Sequence, residues 1–169
     1  QVFYQNRALK GADPATFTLI NPQIGRDKAS VFYRDAMIES ADPHTFHHLY
    51  GDFYADQSAL FYEEMLVKGA DITTLEPVKS DFRQVQYVKD AKNVFYQSQL
   101  IDEADPASFI VIGQLHAKDK NHVYRQYKRI DGADPASFEP YILAPKNYRY
   151  SKDKTRIYFE EYPLLKSDS

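Results

Sequence analysis

The sequence predicts an all-β protein built from short tandem repeats, and three observations lead to that expectation. Ala-Asp pairs recur at a nearly constant interval, a triplet of apolar and aromatic residues recurs in the same phase, and few segments show the spacing of an amphipathic helix. The chain is also rich in tyrosine and phenylalanine, with 14 and 11 copies. Aromatic side chains favour strands because they fit the pleated surface of a sheet.

The Ala-Asp pairs define a repeating unit, since successive pairs are 29, 29, 34 and 29 residues apart. The pairs are Ala12-Asp13, Ala41-Asp42, Ala70-Asp71, Ala104-Asp105 and Ala133-Asp134. The triplets are Val2-Phe3-Tyr4, Val31-Phe32-Tyr33, Leu60-Phe61-Tyr62, Val94-Phe95-Tyr96, Val123-Tyr124-Arg125 and Ile157-Tyr158-Phe159. A constant period of this kind is typical of arrays in which each unit buries its apolar face against its neighbours.

Each part of the unit predicts a local structure. The triplet is β-branched and aromatic, so we expect a strand with both faces covered. The Asp that precedes a triplet, as in Asp27-Lys28, is expected to form a hairpin turn, because its short side chain bonds nearby backbone groups. Asp13-Pro14 and its equivalents are expected to start a single helical turn, with Asp as N-cap and Pro in the first helical position.

Apolar residues four and seven positions after each of these cap Asp residues are expected to point into the core. They are Phe17, Phe46, Leu75, Phe109 and Phe138, followed by Ile20, Leu49, Val78, Ile112 and Tyr141. The residue before Ala-Asp is glycine in three copies but Ser40 and Glu103 in the other two. Because glutamate resists a positive φ, we expect no strict left-handed conformation at this position.

The pattern Asp-Lys-x-x-Val-Tyr-Tyr followed by Gly-Ala-Asp-Pro-x-Thr-Phe resembles the DKNYY family of bacterial repeat proteins. Residues 119–124 and 134–138 fit it best, although Arg125 replaces the second aromatic residue, and the resemblance covers nearly the whole chain. It implies a bacterial, often envelope-associated protein whose biochemical activity is not established. The sequence opens inside a repeat, so we expect further residues upstream of Gln1, and these allow an exported precursor whose signal sequence has been removed.

Short strands and hairpins of this kind are expected to stack as an open solenoid-like array forming a single domain, 1–169. The predicted units are approximately 1–25, 26–53, 54–86, 87–116, 117–147 and a terminal unit, 148–169. A small β-propeller is the alternative, although propeller blades usually need about 40 residues.

Composition excludes several classes of function. A net charge of −3 argues against a nucleic-acid partner, which requires a clustered positive surface. Cysteine is absent, so disulfides, thiolate nucleophiles and Cys-based zinc sites are excluded, and no apolar stretch is long enough to span a membrane. The common catalytic motifs are missing as well, and the recurring carboxylates are interpreted as scaffold. We therefore expect no catalytic residues, no cofactor and no enzymatic activity.

Two insertions mark the candidate binding site. The interval between the post-cap apolar residue and the next turn Asp is seven residues in three repeats, but twelve from Val78 to Asp90 and from Tyr141 to Asp153. Insertions in repeat arrays map to loops on one face, often the binding face, although longer strands or neutral loop drift also explain them. The candidate partner-binding residues combine aromatic rings with arginine, as interface hot spots do, and they are Phe82, Arg83, Tyr87, Tyr148, Arg149 and Tyr150.

A histidine cluster, His44, His47 and His48, is a weak metal candidate, because two of its members lie three or four residues apart on a possible helical turn. No cysteine or carboxylate at ligand spacing supports it, so we expect no metal. Exposed tyrosines that stack on a sugar are a further alternative, although aromatic residues in phase with a repeat usually form its core.

These observations predict a non-enzymatic scaffold that binds another protein, and the family resemblance implies that it acts in the bacterial envelope or periplasm. One form of this hypothesis is an immunity protein that neutralises an interbacterial toxin. A glycan- or cell-wall-binding adhesin module and a structural spacer remain as alternatives, and the sequence does not indicate an oligomeric state.

Overall fold

Each repeat forms a small antiparallel sheet whose strands follow one another in chain order. The computed structural model describes residues 1–81, 86–140 and 149–164, and this part of the chain contains 22 strands in six sheets and no helix. No helix that could span a membrane occurs within those ranges. Contacts divide the chain into two compact units, Gln1–Thr73 and Thr74–Ser169. The predicted all-β repeat is confirmed.

The first unit contains sheets A, B and C. Sheet A has two strands and the others have four: β1 (Phe3–Tyr4) and β2 (Arg7–Ala8); β3 (Thr18–Leu19), β4 (Ile24–Arg26), β5 (Val31–Tyr33) and β6 (Ala36–Met37); β7 (His47–Tyr50), β8 (Phe53–Ala55), β9 (Leu60–Tyr62) and β10 (Met65–Val67).

The second unit contains sheets D, E and F, each with four strands in the order of the chain. They are β11 (Glu76–Pro77), β12 (Tyr87–Lys89), β13 (Val94–Tyr96) and β14 (Gln99–Leu100); β15 (Ile110–Val111), β16 (His116–Lys118), β17 (Val123–Arg125) and β18 (Lys128–Arg129); β19 (Glu139–Pro140), β20 (Tyr150–Lys152), β21 (Ile157–Phe159) and β22 (Tyr162–Pro163).

The predicted aromatic triplets form the third strand of each four-stranded sheet. In sheet C, for example, Phe61 of β9 pairs with Tyr54 of β8 on one side and Leu66 of β10 on the other. Strands β5, β9 and β13 are buried along their whole length. A strand that has neighbours on both edges and is buried on both faces requires large apolar side chains at every position, which is why the triplet recurs.

The predicted hairpin turns at Asp are also confirmed, and they join the second strand of each sheet to the third. In sheet B, Asp27 Oδ1 accepts hydrogen bonds from the backbone N–H groups of Ala29 and Ser30, each at 2.8 Å. Asp56, Asp119 and Asp153 bind the backbone two and three residues ahead in the same way. The carboxylate thus provides the acceptor for backbone N–H groups of the turn that would otherwise be left without a hydrogen bond.

The single helical turns predicted after Asp-Pro are turns and not helices in the described residues. Asp13 acts as the predicted cap, because its Oδ1 accepts the N–H of Ala15 at 3.0 Å and its backbone carbonyl accepts the N–H of Thr16 at 3.2 Å. The chain then enters β3 at Thr18, so no further turn can add the successive bonds that a helix needs.

The expectation about the residue before Ala-Asp was wrong, because it has a positive φ in all five copies. Gly11, Gly69 and Gly132 have φ values of 85°, 82° and 73°, and Ser40 and Glu103 follow at 64° and 60°. A left-handed conformation costs a non-glycine residue about 1–2 kcal/mol, an amount that the surrounding turn can offset. The backbone geometry is therefore invariant even where glycine is not used.

A carboxylate pair ties each Asp-Pro turn to the hairpin turn of the same repeat. Asp27 Oδ2 accepts the backbone N–H of Asp13 at 2.8 Å, and Thr16 Oγ1 accepts the backbone N–H of Lys28 at 3.3 Å. The Lys28 ammonium lies 3.2 Å from Asp13. The bond between the two Asp residues recurs between Asp42 and Asp56, Asp105 and Asp119, and Asp134 and Asp153. This network explains why Asp-Lys and Asp-Pro-x-Thr/Ser occur together.

The apolar residue after each Asp-Pro turn lies between successive sheets. Phe46 packs against Ile24, Val31 and Tyr33 of sheet B and is stacked on Tyr54 of sheet C, with ring centroids 5.7 Å apart. Phe109 lies in the same way between sheets D and E, and Phe138 between sheets E and F. Burial of these phenylalanines agrees with the prediction, whereas Phe17 and Leu75 are half-buried.

The second set of predicted core residues is less uniform. Val78 is buried, but Ile20, Leu49 and Ile112 are half-buried. Tyr141 lies outside the described residues. These residues lie at or just after the end of the first strand of each sheet, so the neighbouring strands cover only part of each side chain.

Candidate partner-binding surface

The sheets of the second unit have two chemically different ends. One end contains the Asp turns described above. The other, here called the loop end, contains the loops between the first and second strands, residues 78–86, 112–115 and 141–149, and the hairpins between the third and fourth strands at 97–98, 126–127 and 160–161. Both five-residue insertions lie between the first and second strands of their sheets, and residues 82–85 and 141–148 within them are outside the described residues. The chain therefore varies in length only where the Asp network is absent.

Backbone hydrogen bonds fix each hairpin of the loop end to the loop beside it. The N–H of Gln97 donates to the carbonyl of Gln86 at 2.8 Å, and that of Gln126 donates to Leu115 at 2.7 Å. The N–H of Glu160 donates to the carbonyl of Arg149. Gln97, Gln126 and Glu160 all have a positive φ, which turns these N–H groups toward the loop. Both insertions thus emerge from anchored positions.

The structure separates the predicted partner-binding residues. Phe82, Arg83 and Tyr148 lie outside the described residues. Tyr87 is a core residue, buried against Tyr96 and Phe109, and its hydroxyl donates to the carbonyl of Gln126. Its burial follows from its place at the start of β12, a position that is buried in three of the other four-stranded sheets and half-buried in sheet F. Tyr87 can position the loop end but does not present its ring to a partner.

Arg149 and Tyr150 lie together at the end of the second insertion. The Arg149 guanidinium is 5.8 Å from the centre of the Phe159 ring, and its Nε is 3.7 Å from Glu160 Oε1. Tyr150 is half-buried and meets Phe159 edge-on at 5.2 Å. An arginine held over an aromatic ring keeps its outer N–H donors available, as in protein interfaces. Arg149 is exposed, so this geometry can be used by a partner.

A group of charged residues beside Arg149 is not apparent from the insertion pattern. Arg125 lies 3.6 Å from Glu160 and 3.9 Å from Glu161, and Lys128 lies 2.8 Å from Glu161. These ion pairs join β17 and β18 of sheet E to the hairpin of sheet F. The sequence contains one sign of these ion pairs. Arg125 replaces the second aromatic residue of its triplet, and two glutamates, Glu160 and Glu161, occupy the hairpin of the next sheet.

An open groove of about 810 Å³ continues from these ion pairs along the outer strands of sheets E and F. Its lining residues are Asp102, Glu103, Tyr127, Lys128, Arg129, Asp131, Glu161 and Tyr162. Tyr127 and Tyr162 are exposed, and neither position is aromatic in the other four-stranded sheets. These are exposed tyrosines outside the repeating core pattern, and sequence reasoning did not single them out.

His116 is a buried polar residue at a position where the other four-stranded sheets have Ile24, Phe53, Tyr87 and Tyr150. It pairs with Arg125 across β16 and β17 and contacts the Phe138 ring at 5.6 Å. Burial, together with the charge of Arg125, lowers the pKa of His116 to about 4. Within the described residues His116 Nε2 and Arg125 Nε have no hydrogen-bond partner. His116 is therefore neutral at neutral pH.

The histidine cluster does not converge. His47 and His48 are consecutive residues of β7, so their side chains leave opposite faces of the strand. His47 bonds the carbonyl of Thr45 and His48 that of Gly51. In the part of the chain that the structure describes, no three His, Cys, Asp or Glu side chains are close enough together to hold a metal ion.

Comparison with known proteins yields one match. The model of the DKNYY family matches residues 1–128 and, with an overlap, residues 116–168. No curated protein and no solved structure matches the chain. The double match agrees with the repeats, since the family pattern fits both the larger part of the chain and its last units.

Proposed function

The chain belongs to the DKNYY family, and on that premise we propose that it is a non-enzymatic scaffold that binds another protein through the loop end of its second unit. The observation that carries this proposal is the position of the two insertions. Both leave the repeat pattern at the loop end, and both are anchored to hairpins by backbone hydrogen bonds at Gln86 and Arg149. Loops of variable length on a rigid repeat are the usual binding elements of such arrays.

The side chains at this end support a protein partner. Arg149 lies over Phe159, and the exposed Tyr127 and Tyr162 flank Lys128 and its partner Glu161. Tyrosine and arginine are enriched in interface hot spots because they combine apolar area with directional hydrogen bonds. The mixture of charges favours a partner with a polar rim of both signs.

We propose the bacterial envelope or periplasm as the place of action, which is what resemblance to the family implies. One concrete form is an immunity protein that covers a secreted toxin. The rigid Asp network suits such a role, because a preorganised surface loses little conformational entropy on binding. The open stack of successive sheets, rather than a closed propeller, belongs to the same proposal, and small-angle scattering would separate an elongated particle from a disc.

Affinity capture from the native organism tests the proposal. The intact protein is expected to recover one stoichiometric protein, and Arg149→Ala is expected to weaken its binding by about 10-fold or more, as hot-spot truncations do. Arg83→Ala, in the other insertion, is the companion variant.

The matched control is Arg34→Ala. Arg34 is also exposed and also lies over an aromatic ring, Tyr33, at 4.8 Å, but it belongs to sheet B of the first unit, where the loop has no insertion. Binding that is unchanged by Arg149→Ala, or lost equally with Arg34→Ala, would contradict the assignment of the site to the loop end.

A glycan ligand is the second candidate, and the exposed pair Tyr127 and Tyr162 favours it. Both rings line the groove beside carboxylates and cations, which is a suitable arrangement for stacking and hydrogen bonding to a sugar. Binding to a glycan array without any protein partner, lost in the Tyr127→Ala/Tyr162→Ala variant and retained in Arg149→Ala, would favour this alternative.

A further inference from the structure

The groove along the outer strands of the second unit contains an aromatic residue that departs from the repeat. Tyr127 is the second residue of the hairpin between β17 and β18, and it is 41% exposed. None of the other four-stranded sheets has an aromatic ring at this position, which is Asp35, Glu64, Ser98 and Glu161 in turn. Because every other sheet is built without such a ring, the packing of the repeat does not account for Tyr127.

Glu103, which lines the groove from sheet D, is a second departure. The equivalent residue has a positive φ in all five copies and is glycine in three, whereas Glu103 adopts 60° with a full side chain. A left-handed conformation is unfavourable for residues other than glycine. Glu103 pairs with Arg129 at 2.6 Å, but both side chains are exposed, and an exposed ion pair contributes little to stability. Stability therefore does not explain the glutamate, and residues held in unfavourable conformations are typical of functional sites.

The lining of the groove carries more negative than positive charge. Arg129 lies between two carboxylates, 2.6 Å from Glu103 and 2.8 Å from Asp131, so its charge is already matched. Asp102 lines the same groove and is exposed. In total the lining has two cations against four carboxylates, an excess of two negative charges: Lys128 and Arg129 against Asp102, Glu103, Asp131 and Glu161. This balance favours a cationic ligand over an anionic one.

We propose that the groove binds an extended segment of a protein that is rich in lysine or arginine. The ring of Tyr127 attracts a cation through the negative potential of its face, and the carboxylates of Asp102 and Glu103 attract it through their charge. A volume of about 810 Å³ is within the range of sites that hold small ligands, so the groove suits a few residues of chain and not a globular surface.

The same observations distinguish this ligand from a sugar. A neutral glycan could stack on Tyr127, but it gains nothing from the excess of negative charge. A lysine or arginine side chain uses the ring and the charge together. The inference rests on the proposed function, because the segment belongs to the protein partner, and it adds the chemistry of that segment.

Fluorescence anisotropy of a labelled peptide of alternating arginine and serine residues, measured with the purified whole protein, tests the proposal. We expect this peptide to bind, the same peptide with glutamate in place of arginine not to bind, and the affinity to fall as salt is added. Asp102→Asn/Asp131→Asn should lower the affinity about 5-fold or more, since two attractive charges are lost. The matched control is Glu39→Gln/Glu64→Gln, which changes the net charge equally at two exposed positions of the first unit and should leave the affinity unchanged.

Two single substitutions test the residues that depart from the repeat. Tyr127→Ala should weaken peptide binding about 2- to 5-fold, whereas Tyr127→Phe, which keeps the ring, should retain it. Glu103→Gly should weaken binding about 2-fold or more without lowering the thermal midpoint, because glycine suits the positive φ at this position. Ser40→Gly makes the corresponding backbone change in sheet B and should leave the affinity unchanged. Glu103→Gly thus separates binding from folding.

The proposal is wrong if the arginine peptide does not bind, or if the first-unit control loses as much affinity as Asp102→Asn/Asp131→Asn. Full affinity in both Tyr127→Ala and Glu103→Gly would also overturn it. Chitohexaose, a neutral sugar, that binds the wild type and Asp102→Asn/Asp131→Asn equally well while the peptide does not bind would assign the groove to a glycan instead.

The peptide assay contains no native partner, so its result is separate from that of affinity capture. A protein captured through Arg149 by a chain that does not bind the arginine peptide would overturn the groove proposal and leave the proposed function intact. Peptide binding that meets the expectations above, with no protein captured, would support the groove and contradict the role of the loop end.

Discussion

Asp119→Asn tests the carboxylate network that holds the repeat together. Asp119 is buried and accepts four hydrogen bonds, from the backbone N–H groups of Asn121 and His122 at 2.7 Å each, and from the Asp105 N–H and the Tyr124 hydroxyl at 2.8 Å each. An asparagine keeps one acceptor oxygen for the turn. Its amide N–H₂ then faces the Asp105 N–H, which is left without an acceptor.

The expected loss follows from those bonds. A hydrogen bond to a charged group contributes about 1.5–3 kcal/mol, and a buried N–H without an acceptor costs about 1–3 kcal/mol, so we expect the free energy of unfolding to fall by about 3 kcal/mol. Urea denaturation at pH 7, followed by tyrosine fluorescence and circular dichroism, measures it. Asp102→Asn makes the same chemical change at an exposed position and should alter stability by less than about 0.5 kcal/mol.

The effect should also depend on pH. Burial raises the pKa of Asp119, but its hydrogen bonds with Asp105, Asn121, His122 and Tyr124 outweigh burial and hold the pKa below the usual range. The stabilisation is therefore fully present above the unfolded value of about 3.9 and is lost as the pH falls through the lower folded value. The difference between wild type and Asp119→Asn should shrink below about pH 4. A loss under about 1 kcal/mol at pH 7, or an equal loss in Asp102→Asn, would refute the role given to this carboxylate.

Three further predictions concern the positive-φ position before Ala-Asp, the buried His116 and the close contact at Gly25. Ser40→Gly should stabilise the protein by up to about 1 kcal/mol, and Gly11→Ala should destabilise it by about 1 kcal/mol, because both residues have a positive φ and a methyl group at Gly11 would touch nothing; thermal denaturation measures both. His116, whose folded pKa of about 4 lies below the unfolded value of about 6.5, should make stability fall by up to roughly 1.4 kcal/mol per unit as the pH drops between those values, and His116→Phe should abolish that slope in pH-dependent urea titrations. Gly25→Ala should destabilise the first unit by about 1–3 kcal/mol, since its new methyl group would collide with the Phe17 ring; a midpoint equal to that of wild type in urea would contradict this contact.

Internal recurrence predicted most of the repeat correctly. Asp27 and its equivalents were recognisable as turn residues, and the triplets as buried strands, because a short-range hydrogen bond and a covered strand each require one kind of side chain. The prediction of φ at Ser40 and Glu103 was wrong, because a residue's identity is a weak guide to its φ value. The hydrogen bonds of the surrounding turn can hold a non-glycine residue in the left-handed conformation. The Asp-Pro segment was expected to be helical because capping residues indicate where a helix can begin, but not whether enough chain follows to continue it.

The sequence predicted where along the chain the candidate site lies, but not which of its side chains are exposed. The insertions indicated the loop end, but whether a residue beside them is exposed depends on the alternation of the strand that follows. That alternation buries Tyr87 and leaves Arg149 in solvent. Tyr127, Tyr162 and the ion pairs at Glu161 depend on contacts between different sheets, and no local pattern encodes those.

Hydrogen–deuterium exchange, measured with and without the captured protein partner, tests the central claim most directly. If the loop end is the binding surface, binding should slow exchange in peptides that contain the hairpins at 97–98 and 160–161. Peptides that contain the Asp turns at 90–93 and 153–156 should be unchanged. Protection confined to the Asp turns, or to the first unit, would contradict the claim.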